Sequence, residues 1–270
     1  MYWYAGQLFS DSQISLETDN PGLLYGATVF TTLRIYHYSL AHPLTAWKEH
    51  CDRLHQNLAT FAWTEPNWHH IQHGAKHLSQ HFPVLRITLF PDGREWITGR
   101  NLPQQWSQWR TQGIQAWVAP PEFYQRSLPQ QKTGNYLTAW LARQQALQQG
   151  FQEAILTDHQ GHWLETSTGN LWGWGQGRWW TPPITAGILP GIVRNQLLKW
   201  LEQQGSPACE VPWSAEQLRE FEAIAYSNSV IQVLPIAQVW HQEQCQFYPA
   251  QHPAFKLLDD FFRFWEGPNI

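Results

Sequence analysis

Lys132-Thr133-Gly134-Asn135-Tyr136-Leu137-Thr138-Ala139-Trp140-Leu141-Ala142-Arg143-Gln144-Gln145-Ala146 is the stretch on which the reading of this chain turns. Its lysine follows a Pro-containing segment and precedes a helix start, a place from which an amine can project into a cleft. Alone, such a lysine would read as a solvated surface charge. Two later stretches change that reading. In Leu164-Glu165-Thr166-Ser167-Thr168-Gly169-Asn170-Leu171 a carboxylate ends a strand returning from a turn, and in Gly187-Ile188-Leu189-Pro190-Gly191-Ile192-Val193-Arg194 a Gly-rich turn opens a helix. An amine that can act as a nucleophile, an acid, and a helix N-terminus able to take an anion make one coherent set. Lysine is otherwise scarce (Lys48, Lys76, Lys199 and Lys256), so few residues compete for the role.

Composition narrows the classes. With 270 residues, 43% of them hydrophobic, the chain can bury one large core or two modest ones. A formal charge of -4 and no polybasic run argue against nucleic acid or an anionic membrane as partner. No stretch approaches the roughly 20 apolar residues of a membrane helix. The start, Met1-Tyr2-Trp3-Tyr4-Ala5-Gly6-Gln7, lacks the basic and apolar regions of a signal peptide. Cys51, Cys209 and Cys245 are scattered, without paired or metal-ligand spacing, which suits a reducing cytoplasm.

Patterning predicts an α+β chain in two domains: a small α/β domain over 1–117, a linker over 118–131 and a larger strand-rich domain over 132–270. Tyr2 to Leu8, Ala27 to Tyr36 and Val84 to Phe90 read as strands. Helix follows from about Thr45, with Cys51, Leu54, Leu58 and Phe61 on one apolar face and His50, Arg53 and Asn57 on a neighbouring stripe. Pro120, Pro121 and Pro129 mark the linker. Beyond it, Asn135 to Gln149 and Gly191 to Gln204 read as helices stopped by Gly150 and Gly205. Ala154 to Thr157, Trp163 to Glu165, Ala223 to Tyr226 and Val233 to Trp240 read as strands, with no βαβ alternation.

In order and spacing, these motifs resemble the fold-type IV pyridoxal-phosphate enzymes, the class IV aminotransferase family. The resemblance runs from about Tyr25 to Ile236. It implies pyridoxal 5'-phosphate as cofactor, with Lys132 joined to its aldehyde and Glu165 keeping the pyridine nitrogen protonated. Arg53, in Glu49-His50-Cys51-Asp52-Arg53-Leu54, resembles the family's phosphate-binding arginine. The amides of Ile192 and Val193 point toward the same phosphate, and Leu189 packs against the ring. Many members carry threonine where Val193 stands, so backbone amides must do more here. Ser229, in Ser227-Asn228-Ser229, matches a further phosphate hydroxyl, and Tyr136 lies where some members bond the phenolic oxygen. A homodimer is also implied.

Subfamily cues are finer. Branched-chain and D-amino-acid transaminases usually carry glutamate where Thr31 stands, in Tyr25-Gly26-Ala27-Thr28-Val29-Phe30-Thr31-Thr32. With Asn228 and Val193, this run looks like the aminodeoxychorismate lyases, which release 4-aminobenzoate for folate synthesis from aminodeoxychorismate. Tyr25, Thr32 and Asn228 are then the substrate candidates, and Thr32 or Asn228 could instead position the lysine. The strand Ile87-Thr88-Leu89-Phe90 lacks the arginine that D-amino-acid transaminases use on a carboxylate. A transaminase is the alternative.

Other patterns carry less. His73, His77 and His81 fall four apart on one helix face but lack a carboxylate or cysteine, so no metal is expected. Gly173-Trp174-Gly175-Gln176-Gly177 reads as a hairpin turn. The 18 tryptophans would fit a non-catalytic carbohydrate-binding module, but they are scattered, and packing explains them better.

Overall fold

The computed structural model describes residues 1–266, and the chain divides into two compact units. The first is Met1–Pro103 together with Gln131–Tyr136; the second is Gln104–Gln130 and the chain from Leu137 onward.

The first unit is one antiparallel sheet of β1 (Tyr2–Tyr4), β2 (Gln7–Phe9), β3 (Val29–Arg34), β4 (Val84–Leu89) and β5 (Glu95–Arg100), in the order β2-β1-β5-β4-β3. The run read as one strand from Tyr2 to Leu8 is a hairpin, because Ala5 and Gly6 both adopt positive φ. A short helix α1 (Pro21–Tyr25) precedes β3, and α2 (Trp47–Phe61) and α3 (Trp68–Ser79) supply the apolar faces that cover the sheet. Leu54 and Leu58 of α2, Ile71 and Leu78 of α3, and Val29, Leu33, Leu85 and Ile87 of the sheet are fully buried. Each such side chain contributes about 1.5–3 kcal/mol through its removal from water. The neighbouring stripe of α2 is buried too: His50, Arg53 and Asn57 are all enclosed, so this helix buries a polar row beside its apolar one.

Gln131–Tyr136 extends this sheet. Phe30 N–H donates to Lys132 O at 2.9 Å, Gly134 N–H donates to Thr28 O at 2.7 Å, and Thr133 bridges Val29. The lysine is thus tied to the start of β3.

The second unit contains α4 (Trp106–Gln112), β6 (Ile114–Val118), α5 (Pro121–Tyr124), α6 (Leu137–Gln148), β7 (Glu153–Thr157), β8 (Trp163–Thr166), β9 (Asn170–Gly175), β10 (Arg178–Thr181), α7 (Ile192–Gln203), β11 (Cys209–Glu210), α8 (Ala215–Arg219), β12 (Ala223–Asn228), β13 (Gln232–His241), β14 (Gln244–Phe247) and α9 (Phe255–Glu266). Strands β9, β12, β13, β6, β7 and β8 pair in succession, and the bridge Glu165↔Asn170 joins β8 back to β9, closing the ring. Closure leaves those six strands without a free edge.

Three readings of the sequence are corrected here. The small domain ends at residue 103, not 117, because β6 pairs in parallel with β13 and β7 of the second unit. The segment 118–131 is correspondingly no free linker: it carries α5, and all but its last residue belongs to the second unit. The absence of βαβ alternation also fails, since β6 and β7 are parallel with α6 between them. Tryptophans serve as packing: Trp172, Trp179 and Trp213 are among the largest fully buried side chains. No helix among the described residues is long and apolar enough to cross a membrane.

Candidate active site

Strand alternation sorts the chemistry of the first unit onto two faces. Val29, Thr31 and Leu33 face the helices and are fully buried. Phe30 and Thr32 face the other way, and their cross-strand partners on β4 are Thr88 and Arg86. On this second face Lys132 Nζ lies 4.8 Å from the Phe30 ring centre and 5.1 Å from that of Tyr136. The Arg86 guanidinium sits 3.7 Å over the same Phe30 ring, and its Nε donates to Thr88 Oγ1 at 3.4 Å. Tyr136 meets Phe30 edge-on at 5.7 Å. One aromatic ring therefore carries two cations, each supported by its π cloud. Lys132, Thr32 and Tyr136 fall into one neighbourhood. Arg86 was missed as a candidate, and alternation with Thr32 was the signal that could have found it. Tyr25, three-quarters exposed at the end of α1, stands outside this group.

On the helix face, Arg53 Nη2 donates to Thr31 Oγ1, and Thr31 O–H lies 2.5 Å from His50 Nδ1, to which it donates. Arg53 is buried, which pulls its guanidinium down to about 10, still charged at neutral pH. Its Nε is enclosed without a hydrogen-bond partner. A buried charged donor left in that state is costly unless an anion completes it. His50 is held well below its ordinary value, first by burial and then by the nearby Arg53 and Lys132 charges. It is therefore a neutral acceptor that orients Thr31 and, through it, Arg53.

In the second unit Glu165, at the ring-closing bridge, is 4% exposed. One carboxylate oxygen pairs with Arg126, and the other accepts Leu189 N–H at 3.1 Å. The pair lines a cavity of about 210 Å³ with Tyr124, Leu156, Ala186 and Gly187. Asn170, opposite Glu165, donates from Nδ2 to Leu189 O at 2.8 Å. Leu189 is thus gripped at both its N–H and its carbonyl. A Cβ at Gly191 would stand 2.0 Å from Asn170 Oδ1, so only glycine fits where this loop enters α7. No side chain caps α7, whose first residues are Ile192 and Val193, and the amides there retain their pull on an anion. Arg126 and Asn170 were not picked out from sequence: the first sits in a Pro-rich run without periodicity.

The late loop differs in detail from its reading. Asn228 ends β12, donating from Nδ2 to Thr168 O at 3.2 Å and accepting Val230 N–H at 2.9 Å and Ile231 N–H at 3.0 Å. Its oxygen is occupied in holding the turn. Ser229 is half-buried in that turn, whereas the neighbouring Ser227 hydroxyl is buried and accepts Trp172 Nε1–H at 2.9 Å. Among the described residues no group of three His, Cys, Asp or Glu could hold a metal ion.

The sequence profile of amino-transferase class IV matches residues 28–239. The chain belongs to the class IV aminotransferase family. Similar members include the branched-chain-amino-acid aminotransferase of Escherichia coli (strain K12), 24% identical with 88% of this chain and 84% of that one covered. The aminodeoxychorismate lyase of Vibrio harveyi is 22% identical, with 88% and 91% covered. In fold the chain resembles a hypothetical aminotransferase from Mycobacterium tuberculosis in its PLP-bound form, with TM-score 0.82, 16% identity, and 97% and 96% covered. The architecture is that of the fold-type IV enzymes.

Class IV members use pyridoxal phosphate, and this chain is a pyridoxal-phosphate-dependent enzyme. Each unit by itself offers something suited to an anion such as a phosphate: in the first, Arg53 keeps an enclosed Nε with no hydrogen-bond partner among the described residues, and in the second, α7 begins without a side-chain cap. The neutral His50 of this family member makes a stability prediction. Below about pH 6.5 the unfolded chain takes up a proton at this histidine that the folded chain refuses. The contribution of His50 is therefore complete above pH 6.5 and is lost as pH falls from there toward its depressed folded value. Unfolding free energy should decline more steeply below pH 6.5 in the wild type than in His50→Gln, by up to about 1.4 kcal/mol per pH unit, and melting temperature should follow it. Equal slopes would count against a buried neutral imidazole.

Proposed function

We propose that this class IV enzyme is a 4-amino-4-deoxychorismate lyase, eliminating pyruvate from its substrate to leave 4-aminobenzoate. The supporting observation is the character of the Lys132 face: Thr32, Arg86 and Thr88 surround Phe30 and make it polar and cationic. Such a surface suits a substrate bearing carboxylates and hydroxyl-sized groups, and it suits a branched aliphatic side chain poorly. The place where transaminases usually carry glutamate holds Thr31, which is committed to Arg53 and His50.

When bound, the cofactor supplies an electron-withdrawing ring that accepts the electron pair left as a C–H bond breaks beside the substrate amine. Lys132 Nζ would hold the cofactor through its aldehyde and, once the substrate amine has taken its place there, would be free to take the proton from the amine-bearing carbon. The bond from the neighbouring ring carbon to the enolpyruvyl oxygen breaks, and the enolpyruvate accepts a proton to become pyruvate. The ring that remains is aromatic. Arg53 and the Ile192 and Val193 amides take the phosphate, with Ser229 as a further donor. Glu165 would keep the pyridine nitrogen protonated, Leu189 would pack on the ring, and Tyr136 would bond the phenolic oxygen. Thr32 and Arg86 orient the substrate's polar edge, and Asn228, engaged with Thr168, shapes the 229–231 loop.

Incubating cofactor-saturated protein with aminodeoxychorismate should release pyruvate and 4-aminobenzoate in equal amounts. An assay with branched-chain or D-amino acids plus 2-oxoglutarate should stay at background; turnover there, with none on aminodeoxychorismate, would replace the lyase reading by the transaminase one. A homodimer in the cytoplasm accords with this reading, and light scattering of the purified protein tests the assembly.

A further inference from the structure

Glu153, the first residue of β7, is 1% exposed and has no part in the chemistry above. Burying a carboxylate costs several kcal/mol, so its surroundings must be specific for it. Its Oε1 accepts Ala154 N–H at 2.9 Å and the Ser167 hydroxyl, and its Oε2 accepts the Thr168 hydroxyl at 2.5 Å. The Arg143 charge from α6 opposes the burial that raises the proton affinity of Glu153. Every contact is a donation to Glu153, which an acceptor-only carboxylate matches and an amide does not.

The two hydroxyls belong to the turn between β8 and β9, which is otherwise closed on itself. Thr166 N–H donates to Gly169 O at 2.7 Å, and Gly169 N–H donates to Thr166 Oγ1 at 2.9 Å. Ser167 N–H adds a bond to Ala154 O at 2.8 Å. A Cβ at Gly169 would come within 2.3 Å of Ser227 O, so the turn is pressed against β12. From this turn two arms depart. Glu165 lies on β8, gripping Leu189 N–H, and Thr168 O accepts from Asn228, which in turn holds the 229–231 loop.

We infer that Glu153 is a positioning residue: its buried carboxylate fixes the Ser167-Thr168 turn and thereby sets both Glu165 and the Asn228 loop. This rests on the reading of Glu165 as the partner of the cofactor ring, and not on the choice of substrate. Ser167 and Thr168 thus spend their hydroxyls inward, on Glu153.

Holoenzyme and reconstituted apoenzyme of wild type, Glu153→Gln, Thr168→Val and the double variant test this. Three quantities are read: cofactor dissociation constant, pH midpoint of the lysine-bound cofactor's visible absorbance, and melting temperature. Glu153→Gln should weaken cofactor binding about tenfold and move the pH midpoint, because its amide cannot accept the Thr168 hydroxyl and the turn loosens. Adding Thr168→Val to that variant should change binding less than about twofold. A role confined to folding would lower the melting temperature and leave the midpoint in place, which would overturn the proposal; so would fully independent effects of the two substitutions. If Glu153→Gln fails to fold, Thr168→Val alone decides, and wild-type values for both cofactor readouts would overturn it. Glu165→Gln separates the two layers. A midpoint unmoved in Glu165→Gln refutes the underlying reading of Glu165. One moved there but not in Glu153→Gln refutes only the role of Glu153.

Discussion

Lys132→Ala is expected to abolish turnover, by more than about 10⁴-fold, and to remove the visible absorbance of the lysine-bound cofactor. The argument is local. Lys132 is pinned by the bond from Phe30 N–H to its carbonyl, and its Nζ stands over Phe30 beside a second cation, Arg86. The neutral amine is the form that attacks an aldehyde and accepts a proton. Borohydride reduction of the wild-type holoenzyme followed by peptide mapping should place the adduct on Lys132. An adduct on Lys199 or any other lysine would end the assignment.

Glu165→Gln should lower turnover by about 10²–10³-fold, the range for removing one preorganised charge that acts on the transition state. It should also shift the pH midpoint of the bound cofactor, because a neutral amide cannot hold the proton on the ring nitrogen. A second effect comes with it. Arg126 is enclosed against this carboxylate, and a buried charge stripped of its partner costs about 3–5 kcal/mol when the partner is removed outright. The amide oxygen of glutamine still accepts a bond, so the loss in melting temperature should be smaller than for Glu165→Ala. Activity and spectrum both unchanged in Glu165→Gln would show that the carboxylate serves only Arg126 and Leu189.

How much of this could be read beforehand depended on whether the interaction was local in sequence. Lys132, Glu165 and the turn into α7 sit in short stretches recognisable from their immediate sequence, although Phe30, Arg126 and Leu189, which they meet in the fold, are distant along the chain. The apolar spacing of Leu54 and Leu58 gave α2 for the same reason. The boundary at residue 103 was hidden because β6 follows the first half directly along the chain, inside the span 1–117. Its partner β13 lies more than a hundred residues downstream, and pairing over that distance leaves no periodic trace. Arg126 and Glu153 were hidden differently. A single charge in a Pro-rich run, or ahead of an apolar strand, reads as surface, and only the enclosure seen in the fold makes it costly enough to need a purpose. Asn228 was expected to contact substrate or position the lysine, and its amide is engaged with Thr168 and the following turn.

The six residues Gln131–Tyr136 return to the first unit after its main span has ended at Pro103. A genetic chimera that exchanged residues 1–103 between relatives would transplant the arginine of α2 but leave the reactive amine with the recipient. Shuffling experiments on such chains accordingly need three splice points, and a single crossover will produce hybrids whose halves descend from different parents at the same strand.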